Sequence, residues 1–228
     1  MEHGRLVLRR AAAPIEEPVT KFGGLPVWVD EPAWPVSAAT GEKMLFIGQV
    51  VIDQPLFPVP TPRIAYLFIT EDTETTAGQL ATWDPNSGEN AIVIQELSAG
   101  RRLAIVDGPR LKETYWKGAV RMERPLELAA TVCIEPVPAE LSDEERYHLM
   151  MDRRVEIEYY NALGQKIGGT PDWIQGDEAP EGWRLLLQMH DYPWVDGESL
   201  QTSWNFGTGS CYAFISPDCL EGILIWQC

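Results

Sequence analysis

The sequence holds 228 residues, 45% of them apolar and 10% aromatic, enough material for a packed core and too much for an intrinsically disordered chain. Its 34 acids against 18 bases give a net charge of −16, which argues against nucleic acid or an anionic membrane as a direct partner and suits a basic protein. No apolar run reaches the roughly 18 residues needed to cross a bilayer.

The chain starts Met1-Glu-His-Gly-Arg-Leu-Val-Leu-Arg-Arg, without the apolar stretch and cleavage site of a signal peptide. A soluble, cytoplasmic protein with a frayed N-terminus is expected. Apolar or alternating runs then predict strands at 44–52, 64–69, 91–97, 102–106 and 120–135 in the first part, and at 183–189, 211–215 and 222–226 in the second. Clusters of Pro, Gly, Asn and Asp between them, such as Trp83-Asp-Pro-Asn-Ser-Gly, read as turns. One helix is predicted between the two sets. Ser142 followed by Asp143, Glu144 and Glu145 makes a capping box, Tyr147, Met150, Met151 and Ile157 supply an apolar face, and Gly164 closes it.

A search for internal similarity finds a second copy of one segment. Lys21-Phe-Gly-Gly-Leu-Pro-Val-Trp-Val29 recurs as Lys166-Ile-Gly-Gly-Thr-Pro-Asp-Trp-Ile174, with five identities in nine. A strand ending in glutamine follows in each, at Gln49 and Gln188, and then Tyr66-Leu-Phe-Ile69 matches Tyr212-Ala-Phe-Ile215. The offsets of 145, 139 and 146 are nearly constant. They predict an ancient duplication within one compact domain, residues 1–228, with halves 1–139 and 140–228. The expected fold class is α+β, strand-dominated, with two similar β-rich halves joined around a central helix. The paired glycines permit a left-handed turn, and the Pro-x-Trp that follows favours an extended path over a phosphate-binding helix. Gln49 and Gln188 are expected to satisfy backbone groups of these turns.

These motifs, with Phe206-Gly-Thr-Gly209 before the second Tyr-x-Phe-Ile strand and the closing Leu224-Ile-Trp-Gln-Cys228, resemble the YwqG-like family, a bacterial domain of unknown function, over about residues 18–228. The resemblance implies two related β-rich halves and carries no enzyme chemistry. Some members lie beside secreted toxins and act as their immunity proteins, including against DNases delivered by type VI secretion. The resemblance thus implies a role as toxin inhibitor, and the charge fits it, because a nuclease must present a basic surface to phosphates.

Catalytic signatures are missing from the sequence: no G-x-S-x-G elbow, H-E-x-x-H helix or phosphate loop occurs. Cys133, Cys211, Cys219 and Cys228 contain no C-x-x-C pair, and His3, His148 and His190 have no local catalytic partner. Neither enzyme activity, nor a cofactor, nor a metal site is expected. The acids are unevenly spread: residues 1–139 carry a net −5 and residues 140–228 a net −11. Expected partner-binding residues are Asp177, Glu178 and Glu181 in one acidic loop, and Asp191, Tyr192, Trp194, Asp196 and Glu198 in a second, where aromatic anchors including Trp204 alternate with acids. Glu71, Asp72 and Glu74 form a third candidate loop. The expected partner is a basic protein, a cognate nuclease toxin. A second reading is a small-molecule or peptide sensor using the cleft between the halves, with Lys21 and Lys166 as anion contacts.

Overall fold

A computed structural model describes residues 2–71, 78–98, 103–136 and 165–228. Every regular element among them is a strand. The α+β expectation is therefore corrected: among the described residues the architecture is all-β, a curled sheet that encloses its own core. The helix expected at 142–164 lies outside the described residues.

Ten strands form the main path of one large sheet: β1 (Glu2–Arg10), β2 (Lys21–Gly23), β4 (Leu45–Ile52), β5 (Arg63–Ile69), β6 (Asn90–Glu96), β10 (Glu127–Pro136), β11 (Lys166–Ile167), β12 (Arg184–His190), β15 (Ser210–Ile215) and β16 (Gly222–Gln227). Their spatial order is β16-β15-β12-β11-β1-β10-β2-β4-β5-β6, every neighbouring pair antiparallel. The sheet curls until its outer strands meet: Ile92 of β6 lies against Gly222 of β16, and Trp226 Nε1 donates to Thr82 Oγ1 at 3.2 Å. Near-closure leaves little exposed strand edge for another chain to join. The smaller strands are β3 (Val27–Trp28) paired with β7 (Ala104–Ile105), β8 (Lys112–Lys117) paired with β9 (Val120–Pro125), and β13 (Trp194–Val195) with β14 (Glu198–Ser199), β13 also touching β1.

Alternation along the strands sorts side chains into an interior and two outer clusters. Leu45, Ile47, Val50 and Ile52 of β4, Ala65, Leu67 and Ile69 of β5, and Cys211, Ala213 and Ile215 of β15 face the interior, which Trp204 and Phe206 help to fill. Each large apolar side chain so enclosed contributes about 1.5–3 kcal/mol relative to exposure. Tyr66 and Phe68 point outward under Trp28, and Tyr212 and Phe214 point outward under Trp173.

The sheet order is symmetric about the β1–β10 pair. Each flank runs from a short Lys-containing strand, β2 or β11, through β4 and β5 or β12 and β15, to an outer strand. The chain exchanges the two central strands: β1 precedes β2 but pairs with β11, and β10 precedes β11 but pairs with β2. The expected frayed N-terminus is instead a central nine-residue strand, and His3 is 3% exposed. It is held by main-chain bonds on both sides, a non-local environment invisible in His-Gly-Arg-Leu-Val.

Candidate functional site

The duplicated turns are built by the same hydrogen bonds. Gln49 Oε1 accepts Val27 N at 2.9 Å, while its Nε2 donates to Val19 O at 2.8 Å. Gln188 Oε1 accepts Asp172 N at 2.8 Å. Tyr66 Oη donates to Val27 O at 2.8 Å and accepts Val29 N at 3.1 Å; Tyr212 Oη donates to Asp172 O at 2.8 Å and accepts Ile174 N at 3.1 Å. Burial pushes both phenols well above their ordinary value. A register shift at Phe46/Gly48 in β4 recurs at Leu185/Leu187 in β12. This bulge re-phases the alternation, so each glutamine faces its turn instead of the apolar interior. Both amides are thus part of the scaffold.

A fourth pair went unnoticed in the sequence. Gln95 Oε1 accepts Val29 N and Asp30 N, and Gln227 Oε1 accepts Gln175 N at 3.0 Å while its Nε2 donates to Gly176 O at 2.8 Å. The only local trace is an apolar residue followed by glutamine near each strand end.

Of the expected anion contacts, Lys21 is already occupied. Its ammonium lies 2.6 Å from Glu127 Oε1 and 2.8 Å from the Ile15 carbonyl, with the residue 1% exposed. Lys166, at the same place in the second half, is also buried.

The expected partner-facing loop at 190–206 divides between core and surface. Trp204 is fully buried, stacked on Phe22 with ring centres 5.8 Å apart and edge-on to Phe206. Asp191 is buried, its carboxylate accepting Phe206 N and Thr208 N, and burial raises its pKa against those bonds. Neither residue presents itself to a partner: the carboxylate pins a turn, and the indole fills the barrel. Tyr192 and Trp194 are half-buried. Asp196 and Glu198 are exposed but share Arg10, whose Nε also reaches the buried Glu113 at 3.1 Å. Glu71 is half-buried, 3.6 Å from Lys112 Nζ, and Asp72 and Glu74 lie outside the described residues.

Asp177, Glu178 and Glu181 are exposed as expected. Their loop crosses the outer face of the second half over Tyr212 and Phe214, and just beyond it Arg184 Nη1 donates to the Pro217 carbonyl of the β15–β16 turn at 3.5 Å. That turn adds Asp218 and Glu221, both overlooked in the sequence because they sit 40 residues further along. Among the described residues, Glu178, Glu181 and Glu221 form no ion pair. Two apolar side chains accompany them, Ile174 at 46% and Leu220 at 55% exposure. In the first half the matching face carries a thicker cover: β3, β7 and Trp34, whose ring packs on Trp28 and Phe68 and lies under Lys43 Nζ. Among the described residues, the matching cover in the second half comes from the loop at 173–183, and Trp173 and Trp183 are partly accessible.

A cavity of about 470 Å³ opens beside β1, lined by Arg5, Val7, Arg9, Gln165, Trp194 and Asp196 among others. Cys211 is fully buried and its thiol is pushed far up by burial, which suppresses the nucleophilic thiolate. Among the described residues, no three His, Cys, Asp or Glu side chains converge to hold a metal ion. Among the described residues, no helix is long and apolar enough to cross a membrane.

A family model described as a domain of unknown function (DUF1963) matches residues 20–223. No curated protein matches the sequence.

Proposed function

The chain belongs to the family described as a domain of unknown function (DUF1963), and we propose that this member is a binding protein that occludes a basic partner, a nuclease toxin, through its acidic surface. The observation that carries this reading is the acidic outer surface of the second half, where the loop at 173–183 and the β15–β16 turn expose Asp177, Glu178, Glu181, Asp218 and Glu221 together with Ile174 and Leu220. Carboxylates at a rim steer a cationic partner and speed association, and apolar side chains within the rim supply the desolvated contact that holds it. The YwqG-like motifs support the same reading, as does the net charge of −16. A stable complex of this kind buries at least about 1,200 Å² in total.

The test is inhibition of DNA cleavage by the toxin encoded beside the gene. One molar equivalent should abolish cleavage, and excess DNA added afterwards should not restore it. A toxin that cleaves at full rate in the presence of excess protein would contradict the proposal.

A second reading, a sensor of a small molecule or peptide, is favoured by the cavity beside β1, whose lining includes Arg5, Arg9 and Trp194. Thermal-shift screening against nucleotides, sugar phosphates and amino acids separates the two, since only the sensor should gain stability from one of them.

A further inference from the structure

The two copies of the Lys-x-Gly-Gly turn differ in one chemical respect. In the first, Ala129 of β10 lies opposite Lys21, and two residues earlier Glu127 reaches back with its carboxylate. That carboxylate takes Lys21 Nζ at 2.6 Å and Ile15 N at 3.2 Å, and it fills the space above Gly24 so closely that a Cβ there would collide with it. In the second, Arg5 of β1 lies opposite Lys166, and the residue two positions earlier is His3. The symmetric place of a carboxylate is held by an imidazole.

Both residues at this second place are buried. Lys166 is 6% exposed and His3 is 3% exposed. Among the described residues, His3 Nδ1 is buried without a hydrogen-bond partner. Among the described residues, no carboxylate stands within ion-pair distance of Lys166. Asp172 acts on it through its field, and Glu135, opposite His3, is ion-paired with Arg5 at 2.9 Å. A buried ammonium and an orphaned imidazole nitrogen each cost free energy that an anion between them would recover. The backbone at the first glycine of the turn is also less crowded in this copy: a Cβ on Gly23 would collide with the Leu126 carbonyl, whereas one on Gly168 would lie 3.9 Å from the nearest described atoms, in Leu56 and Phe57.

We propose that His3 and Lys166 form a binding site for the carboxylate of a small organic acid, which takes the place that Glu127 fills in the first half. One oxygen of the ligand meets the ammonium and the other accepts a proton-bearing imidazole nitrogen, as charge-assisted hydrogen bonds. The fit is to a planar, singly charged group, because that is what the first copy of the turn encloses. Burial holds the two nitrogens below their ordinary pKa values, Lys166 adding to the effect at His3. Ligand binding reverses this and takes up a proton at His3 near neutral pH.

The experiment titrates the full chain with sodium acetate at constant ionic strength, chloride being the balancing anion. Readouts are Tm and the His3 imidazole resonances. Acetate at ten times its Kd should raise Tm by about 3 °C or more and shift the His3 signals saturably. Glutamate in place of acetate asks whether an amino acid's carboxylate also enters; a matching shift extends the site to larger acids, and its absence confines the site to small ones. His3→Glu supplies the missing carboxylate from within, so it should raise Tm without acetate and abolish the response. Lys166→Met should abolish the response too. An unsaturable acetate effect equal to that of chloride, or a response undiminished in both variants, would overturn the proposal.

Discussion

Lys21 Nζ and Glu127 Oε1 lie 2.6 Å apart, joining β2 to the central strand β10 with the lysine 1% exposed. Burial lowers the lysine's pKa, and the hydrogen bond and field of Glu127 oppose that fall. Breaking one side of such a pair strands the other charge. Glu127→Gln should cost about 3–5 kcal/mol in urea unfolding, while the double replacement Lys21→Met with Glu127→Leu should recover most of it. A loss under about 1 kcal/mol for Glu127→Gln would mean that water reaches the ammonium.

The paired glutamines should be unequal. Gln49 closes two short bonds, to Val27 N at 2.9 Å and Val19 O at 2.8 Å, whereas Gln188 makes one short bond to Asp172 N and a longer 3.4 Å donation to Asp172 O. Replacement by leucine leaves those backbone groups unsatisfied, at about 1–3 kcal/mol per site. Gln49→Leu should be the more destabilising in chemical denaturation; the opposite order would contradict the assignment.

These glutamines also mark how far sequence alone reaches. The Lys-x-Gly-Gly-x-Pro-x-Trp block was legible because turn chemistry is local: Gly23, Gly24, Gly168 and Gly169 all have positive φ. Strand β1 was not, because Arg5 and Arg10 find Glu135, Glu113 and Glu198 more than 100 residues away, and only the paired sheet reveals those partners. The 190–206 segment misled for a related reason. Its polar spacing resembles a surface loop, yet Asp191 bonds amides at 206 and 208 and Trp204 turns inward on Phe22. The acidic loop at 177–181 was visible as a charge run, but its nearness to Asp218 and Glu221 depends on the fold, which brings Arg184, just after the loop, to the Pro217 carbonyl.

Thr208 sits at φ 67°, a left-handed conformation that a β-branched residue adopts at a cost. The Asp191 carboxylate, accepting Thr208 N at 3.1 Å, holds it there. Thr208→Gly should therefore stabilise the fold by about 1 kcal/mol in thermal unfolding. A lower Tm would show that the threonine side chain contributes more than the strain it brings.

Burial holds His3 and His190 below the ordinary histidine value of 6.5, and the ammonium of Lys166 deepens the effect at His3. In the interval just below 6.5 the unfolded chain then binds more protons than the folded one, so stability rises with pH and levels off above it. Asp191 contributes the opposite slope in a lower window, because burial raises its pKa above 3.8 and stability falls as pH climbs through that interval. In a buffer free of carboxylates, Tm should increase from about pH 5 to pH 7, and replacing both histidines by asparagine should flatten the rise. A Tm that falls over this range would contradict the burial of these rings.

Association kinetics with the proposed partner, a nuclease toxin encoded beside the gene, test the acidic face most directly. Asp177→Asn, Glu178→Gln, Glu181→Gln and Glu221→Gln together should slow association at low salt by about tenfold or more, with a much smaller change in dissociation, and added salt should erase the difference. An association rate identical for the two proteins at low salt would place the contact elsewhere on the molecule.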